Sequence, residues 1–558
     1  MNQNKLFISS INFLFLLVVP IYCGVKYYNT DDIIRRQLLV GSDQFNQDTH
    51  LIFSANYLGK LFTTLYNVFP ALEWYLIINS LLIILSLQIL LYGALQKNWK
   101  NNVLAFIFFF IFVILVGRDL ITNVHFTIVS SLLAVASGFV FTRSQFEEDK
   151  SQKRNVIFAG VLLLLGISFR VQSALLAFVF TCIVFLIHNY LLETKSFKIV
   201  IKRYALNSAV IIILSFIPAF VAKQTENKSY KEFRTTFDNH RAIFDFKMQN
   251  RARNAEKSFE SAGWKEGHFQ IFFTYMLPAV SVFSPDNLER IVKGMGPVSF
   301  FRSPSIYDVN FLWTRYCLEM DYKLPFFLLL LMPLCITMKN RWRGFLWLVS
   351  SLFFYLMIIF ILGVIFKFPG EYVTTPLLCG LFFIAMARII KIDRVLLFSS
   401  LFVFAIVFYI AKQNQSETLQ YIKSAFESAE KPTEKQISQN TSIVCLSQRS
   451  NDYVYPLQYK TNDWWRKADL TRAYYFGPFI WHPANRISFR KDSSDLVFNT
   501  LNSDSYLWML SNGYENDFIY DGFDEAVINF IKNQYNIKSK FITVDRQPKF
   551  TLLKLVIN

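Results

Sequence analysis

The sequence predicts an all-α polytopic membrane protein of about 11 transmembrane helices, followed by a small C-terminal α/β domain outside the membrane. Three observations carry that prediction. Of 558 residues, 53% are hydrophobic and 60 are Phe, a composition more apolar than soluble domains show. The apolar residues gather in runs near the ~20 residues that cross a bilayer. The short loops between the runs alternate between basic and almost uncharged, as they do when Lys and Arg stay on the cytoplasmic side.

Taken in order, spans are expected at 6–24, 71–95, 102–117, 121–141, 155–169, 171–192, 200–221, 324–338, 344–366, 373–391 and 394–412. The first run has the length of a signal peptide. It lacks a strongly basic start and a small-residue cleavage site, so it reads as a retained anchor. GRDLIT joins the third and fourth spans and SFRVQ the fifth and sixth. Each pair is too long for one crossing of ~30 Å at ~1.5 Å per residue, so each reads as a hairpin. With a cytoplasmic amino terminus, the inner loops QKNWKNN, TRSQFEEDKSQKRN, ETKSFKIVIKR, KNRWR and ARIIKIDR are all basic. The alternate short loops hold only Arg118, Arg170 and Lys367. The predicted location is a multi-pass bacterial inner or plasma membrane, with the carboxyl terminus outside.

This asymmetry accounts for the net charge of +17, which in a soluble chain would point to nucleic acid. Membrane lipids are the expected partners instead, and nucleic acid is not. The six cysteines form no C-x-x-C pair and no zinc spacing.

Three larger segments share the outer face. Within a transmembrane domain of residues 1–412, the outer loops are 25–70 and 223–323. A polar linker, 413–440, leads to an extracytoplasmic α/β domain, 441–558. The first outer loop reads as helices near 31–40 and 51–69, lying at the interface with an apolar face toward lipid. The second opens with a charged helical stretch, KEFRTTFDNHRAIFDFKMQNRARNAEKSFES. In the tail, SIVCLS, SYLWML, KFITVD and FTLLKLVI read as strands and DEAVINFIKNQY as a helix. The aromatic cluster NDWWRKADLTRAYYF reads either as a sugar-stacking surface or as domain core.

Charged residues at the outer edge are the candidate site. Asp31 and Asp32 follow the first span within YNTDDIIRRQ. Arg118 and Asp119 cap the third–fourth hairpin, and His125 lies further into the fourth span. Arg170 caps the fifth–sixth hairpin, Lys223 follows the seventh span, and Lys367 with Glu371 caps the ninth–tenth hairpin. Tips this short hold charge at the bilayer surface, where it is costly and marks function. Carboxylates can take a proton or hold a metal. Cations hold phosphate, and Arg does so with a bidentate grip. A phosphate at a membrane edge suggests a lipid phosphate, and the set fits sugar transfer from a polyprenyl-phosphate carrier. An acceptor hydroxyl attacks the anomeric carbon, a carboxylate takes its proton, and cations stabilise the departing phosphate.

Each residue also has a structural reading. T-D-D is a good helix start. Arg35 and Arg36 fit headgroup contacts or i,i+4 pairs with the aspartates. Arg118 can neutralise Asp119, Arg170 can snorkel, Lys367 can pair with Glu371, and Lys223 can be a stop signal. His125 reads as a hydrogen-bonded helix residue, His240 and His268 as polar-loop residues, and His482, in WHPANR, as surface structure of the tail.

The layout resembles the GT-C superfamily of integral-membrane glycosyltransferases over roughly residues 1–390. The likeness lies in an acidic residue just after the first span, juxtamembrane helices in that loop, an acid between spans three and four, and a large outer loop between spans seven and eight. ANYLGKLFTTLYNVFPALEWY and FRTTFDNHRAIFDF also look like stretches of bacterial surface-polysaccharide members. The resemblance implies Asp31 or Asp32 as catalytic base. It implies a metal-binding or substrate-binding role for Asp119, with a divalent metal as the one candidate cofactor. GRDL holds a single acid where the family has a pair, which puts the metal in question. The implied partners are a lipid-linked sugar donor and a glycan acceptor. Arg234, Arg241, Arg251 and Arg253 in the second outer loop keep a polysaccharide polymerase in view. A lipid-linked-sugar flippase is the third alternative, against which the scarcity of charge inside the spans argues.

Overall fold

The computed structural model describes residues 3–27, 30–41, 45–95, 99–146, 152–192, 197–224, 226–244, 257–264, 281–295, 341–365, 370–387, 442–445, 473–475, 482–484, 506–511, 523–546 and 550–557, with single positions 268, 272 and 331. The linker 413–440, Lys367 and, Leu331 apart, the expected spans 324–338 and 394–412 lie outside the described residues. The chain is a helical bundle followed by a small sheet. Among the described residues, six helices are long and apolar enough to cross a membrane.

The bundle runs α1 (Gln3–Cys23), β1 (Lys26–Tyr27), α2 (Thr30–Val40), α3 (Asn56–Val68), α4 (Trp74–Ala94) and α5 (Trp99–Phe112). A π-helical stretch, Val113–Gly117, carries α5 into α6 (Arg118–Thr122) and β2 (Asn123–Val124). Then come α7 (Phe126–Phe146), α8 (Gln152–Phe169), α9 (Val171–Leu192), α10 (Phe197–Gln224), α11 (Lys228–Phe244), α12 (Pro285–Gly294), α13 (Arg341–Ile365) and α14 (Glu371–Met386). The six crossing helices are α1, α4, α7, α8, α9 and α13.

The hub is α7, which is almost wholly buried and packs against α4, α8, α9 and α14. Its small residues explain the close packing. Ser137 Oγ donates to Ala159 O at 2.6 Å. Gly166 on α8 sits so near that an added Cβ would lie 2.9 Å from Ser130 O. Helices in lipid associate through such small residues and hydroxyl bonds, because apolar burial offers little there. The apolar residues that α1 and α13 leave exposed, such as Ile21, Tyr22, Trp342 and Phe353, suit contact with lipid.

Two parts of the sequence reading need correction. GRDLIT is no loop. Its RDLIT is helical, in line with the preceding π turn, and the chain reverses at Asn123–His125 instead. Nothing in RDLIT breaks a helix, and the turn is fixed by parallel pairing of Lys26 with Asn123 and Tyr27 with Val124. Second, α2 is not an interface helix. Its polar side chains Asp32, Arg35, Arg36 and Gln37 are buried along with its apolar ones. Only α3 keeps an exposed apolar edge, at Tyr57, Leu61 and Val68, of the kind the interface reading expects.

In the tail, strands β3 (Ser442–Cys445), β4 (Ala473–Tyr475), β5 (Tyr506–Ser511), β6 (Ser539–Arg546) and β7 (Phe550–Ile557) form one sheet of order β4-β3-β5-β7-β6. The β3 pairings are parallel and the β7 pairings antiparallel. α15 (Phe523–Tyr535) packs on β6. β4 draws on the aromatic cluster, so YY there is strand.

Candidate functional site

The segments after α1 and α10 and the α6–α7 and α8–α9 turns all fall at one end of the bundle. Their contacts explain why. The last carbonyls of α8 lack helical partners, as at any helix C-terminus, and the 52–57 stretch supplies them. Ala55 N–H donates to Ser168 O at 2.8 Å and Ser54 Oγ to Phe169 O at 2.8 Å. The hydroxyls of Tyr57 and Ser168 also bond. From α2, Arg35 donates to Ser54 Oγ at 2.7 Å and to Ile52 O. Gly59 lets α3 press on the chain just upstream of that stretch, since an added Cβ would collide with Thr49 O.

Between the 50–56 stretch, the α8–α9 tip and α11 lies a cavity of about 300 Å³, at the low end for small-ligand pockets. Arg170, Arg234 and Arg241 line it, with Glu226 and Asp238 as the acidic groups. Arg234 is ion-paired with Glu226. Arg170 is held by a bond from Nη1 to Thr127 Oγ1 at 2.8 Å, and Ser130 Oγ anchors its carbonyl at 2.8 Å. Burial lowers the Arg170 pKa, as do the neighbouring cations Arg241 and Arg35, while Tyr372 and Asp31 raise it. The aromatic part of the wall includes Phe53, Tyr230, Phe233 and Phe237.

A second polar group closes the cavity beside Tyr230. Asp48 Oδ1 accepts from His50 Nδ1 at 2.8 Å and from its backbone N–H at 2.8 Å, and Tyr230 donates its hydroxyl to Oδ2. Although burial raises the Asp48 pKa, the His50 bonds hold it below the usual carboxylate range. Asn56 Nδ2 lies 3.1 Å from His50 Nε2 and Thr49 Oγ1 lies 2.6 Å from Asn56 Oδ1, so both ring nitrogens of His50 are engaged. His50 stacks on Tyr230 with centroids 3.7 Å apart.

The predicted site residues separate into groups. Arg170 lines the cavity. Asp31, at the first turn of α2, is half-buried and acts electrostatically on Arg170. Asp32 turns inward with no exposed surface. Its Oδ1 accepts from Tyr75 Oη at 2.8 Å and from Phe126 N–H at 3.3 Å. Burial raises the Asp32 pKa to about 7, against the lowering effects of the Tyr75 bond and the Arg35 charge. Arg118 and Asp119 pair with each other at 3.3 Å on α6 and do not line the cavity. Among the described residues, no group of three or more His, Cys, Asp or Glu side chains could hold a metal ion. Lys223 lies in the last turn of α10, and its side chain is outside the described residues, as is all of Lys367.

The headgroup reading of Arg35 and Arg36 fails, because both are buried. Arg35 stacks over Phe126 at 3.6 Å. Arg36 ion-pairs with Glu73 at 3.0 Å, and Glu73 also accepts from Tyr27 Oη at 3.1 Å and Tyr66 Oη at 3.2 Å. His482 is not surface structure either. It is buried against Phe233, Tyr230 and Phe45, and its Nε2 donates to His50 O at 3.2 Å. His240 and His268 are buried as well, against Phe272 and against Phe283 and Phe530. His125 stacks on Tyr372, and its Nδ1 accepts from Thr127 N–H at 2.8 Å. Sequence reasoning misses Phe53, His50, Tyr230 and Glu73. A lone Glu before an apolar span is the one local signal for Glu73, and the others have none.

No family model matches the chain, and no curated protein matches it. A search of solved structures finds the crystal structure of ArnT from Cupriavidus metallidurans in the apo state, with a TM-score of 0.37 and 9% sequence identity over 98% of this chain and 97% of that one. That likeness is too distant to say what this chain does.

Proposed function

We propose that the chain is a membrane glycosyltransferase that moves a sugar from a polyprenyl-phosphate carrier to a surface-glycan or lipid-linked acceptor at the outer face. One observation carries the reading: Arg170, Arg234 and Arg241 meet around one cavity at the end of the bundle where Asp31 and Asp32 begin α2. The loop charges favour placing that end outside the cytoplasm, with the amino terminus inside. Residues 1–412 would form the catalytic domain, 413–440 the linker and 441–558 the outer domain.

The lipid phosphate sits against Arg170 and Arg241. An acceptor hydroxyl attacks the anomeric carbon as the bond from that carbon to the phosphate oxygen breaks. The electron pair leaves with the phosphate, and the guanidinium charges stabilise it. The hydroxyl proton passes to a carboxylate. A base must come within hydrogen-bond reach of its proton, which favours half-buried Asp31 over enclosed Asp32. Asp32 then positions the start of α2 against Tyr75 and Phe126.

The test is glycan analysis, by mass spectrometry, of a deletion strain complemented with variants. Asp31→Asn and Arg170→Ala should each lose the linkage that the wild-type chain restores. Full activity in Asp31→Asn would sink the proposed base. Arg234 and Arg241 on α11 also suit a polymerase that extends lipid-linked repeats. A defect in chain length alone, with every linkage present, would favour it.

A further inference from the structure

Among the residues that line the cavity, Phe53 alone has a backbone out of place for its side chain. Its φ is +67°, in the left-handed region that a bulky residue occupies only under constraint. Both flanking residues are pinned. Ile52 O accepts from Arg35, and Ser54 is bonded to Arg35 and to Phe169 O. Glycine would meet that conformation without strain. Strained positions persist where surrounding structure over-determines them, and such positions gather at functional sites.

The ring's surroundings suggest what the strain supports. The Arg170 guanidinium lies 5.1 Å from the ring centroid, and the Arg241 guanidinium also lies 5.1 Å from it. The two cations therefore lie no further apart than twice that distance, although one comes from the α8–α9 tip and the other from α11. The ring is also stacked parallel with Phe126, centroids 6.3 Å apart, and Phe126 carries Arg35 at 3.6 Å and Arg170 at 5.6 Å. Two guanidiniums brought together repel. The face of an aromatic ring attracts each of them, offsetting part of that repulsion without adding a counter-charge. A carboxylate at position 53 would instead compete with an incoming anion.

We propose that Phe53 is a positioning residue for anion binding, holding Arg170 and Arg241 together so that a lipid phosphate can bridge them. The inference rests on the phosphate reading of the cavity given above. It predicts that the ring matters for affinity and that the strain is not needed for folding.

The test measures binding of farnesyl phosphate to the purified full chain in detergent, at two salt concentrations, beside thermal unfolding. Phe53→Leu keeps apolar volume and removes the π face. It should weaken binding about tenfold, the scale of removing one cation–π interaction from a partly desolvated site. Phe53→Gly relieves the backbone and should unfold no earlier than Phe53→Leu, yet bind as poorly. Phe53→Tyr keeps the ring and should bind like wild type. Wild-type affinity in Phe53→Leu, with Arg170→Ala unable to bind, would overturn the role of Phe53 and leave the phosphate site standing. Failure of the wild-type chain to bind farnesyl phosphate would overturn both.

Discussion

Replacing Asp32 with Asn probes the burial of this carboxylate directly. Asp32 has no exposed surface, and burial raises its pKa from 3.8 to about 7. A group whose folded pKa exceeds its unfolded value stabilises most fully below the unfolded pKa, and that stability is lost as pH rises through the folded one. Between about pH 5.5 and pH 7 the unfolded chain has released this proton while the folded chain keeps it. At about 1.4 kcal/mol per pH unit the folded state loses about 2 kcal/mol over that window, and little more by pH 8.5. Asn fills the same volume, and its Oδ1 can still accept from Tyr75 and Phe126, but it does not ionise. Thermal unfolding of both proteins in detergent, followed from pH 5.5 to 8.5, should therefore show the variant gaining on wild type by about 2 kcal/mol. A gap that stays constant, or closes as pH rises, would refute the burial argument.

Glu73→Gln removes the carboxylate that faces Arg36 in a buried pair, and should cost about 3–5 kcal/mol of stability, read as a large drop in unfolding temperature. Gly59→Ala would drive a Cβ into Thr49 O. It should destabilise the chain and disorder the 49–56 stretch, read by proteolysis, whereas Gly160→Ala, with nothing within 4 Å, should be silent. Arg170→Lys keeps the charge but loses the planar fork, and should weaken farnesyl phosphate binding by about tenfold or more. Burial lowers the His482 pKa from 6.5 to about 4, so stability present above 6.5 is lost as pH falls toward 4, by about 3 kcal/mol in all. A His482→Asn variant should show a smaller acid loss in an unfolding scan carried from about pH 7 down to about pH 4.

Hydropathy makes α4, α7, α8 and α9 legible, because a run of apolar side chains long enough to cross a bilayer leaves few alternatives. The start of α2 is legible as well, since T-D-D followed by apolar residues is a strong local helix signal. What stays hidden depends on pairings between distant parts of the chain. Arg36 meets Glu73 across 37 residues, and His482 reaches His50 across 432. No local pattern announces either contact. The charge in GRDLIT suggests a loop, while the residues that set the turn, Lys26 and Tyr27, lie far upstream. Phe53 is invisible for a different reason: in an apolar stretch one Phe looks like another, and only its φ and its two arginines distinguish it.

The serine-rich hub has a consequence for how the chain is made. α7 carries Ser130, Ser131, Ser137 and Thr142 toward its neighbours, and Ser130 donates to carbonyls that belong to α8 and its tip. During synthesis α7 leaves the ribosome before α8 and α9 exist. Until they arrive, those hydroxyls face either lipid or the insertion machinery. Lateral release of α7 is then expected to wait for the helix pair that follows it, so a ribosome stalled once α7 has cleared the exit tunnel, with α8 and α9 still inside it, should leave α7 at the insertion machinery rather than settled in the bilayer.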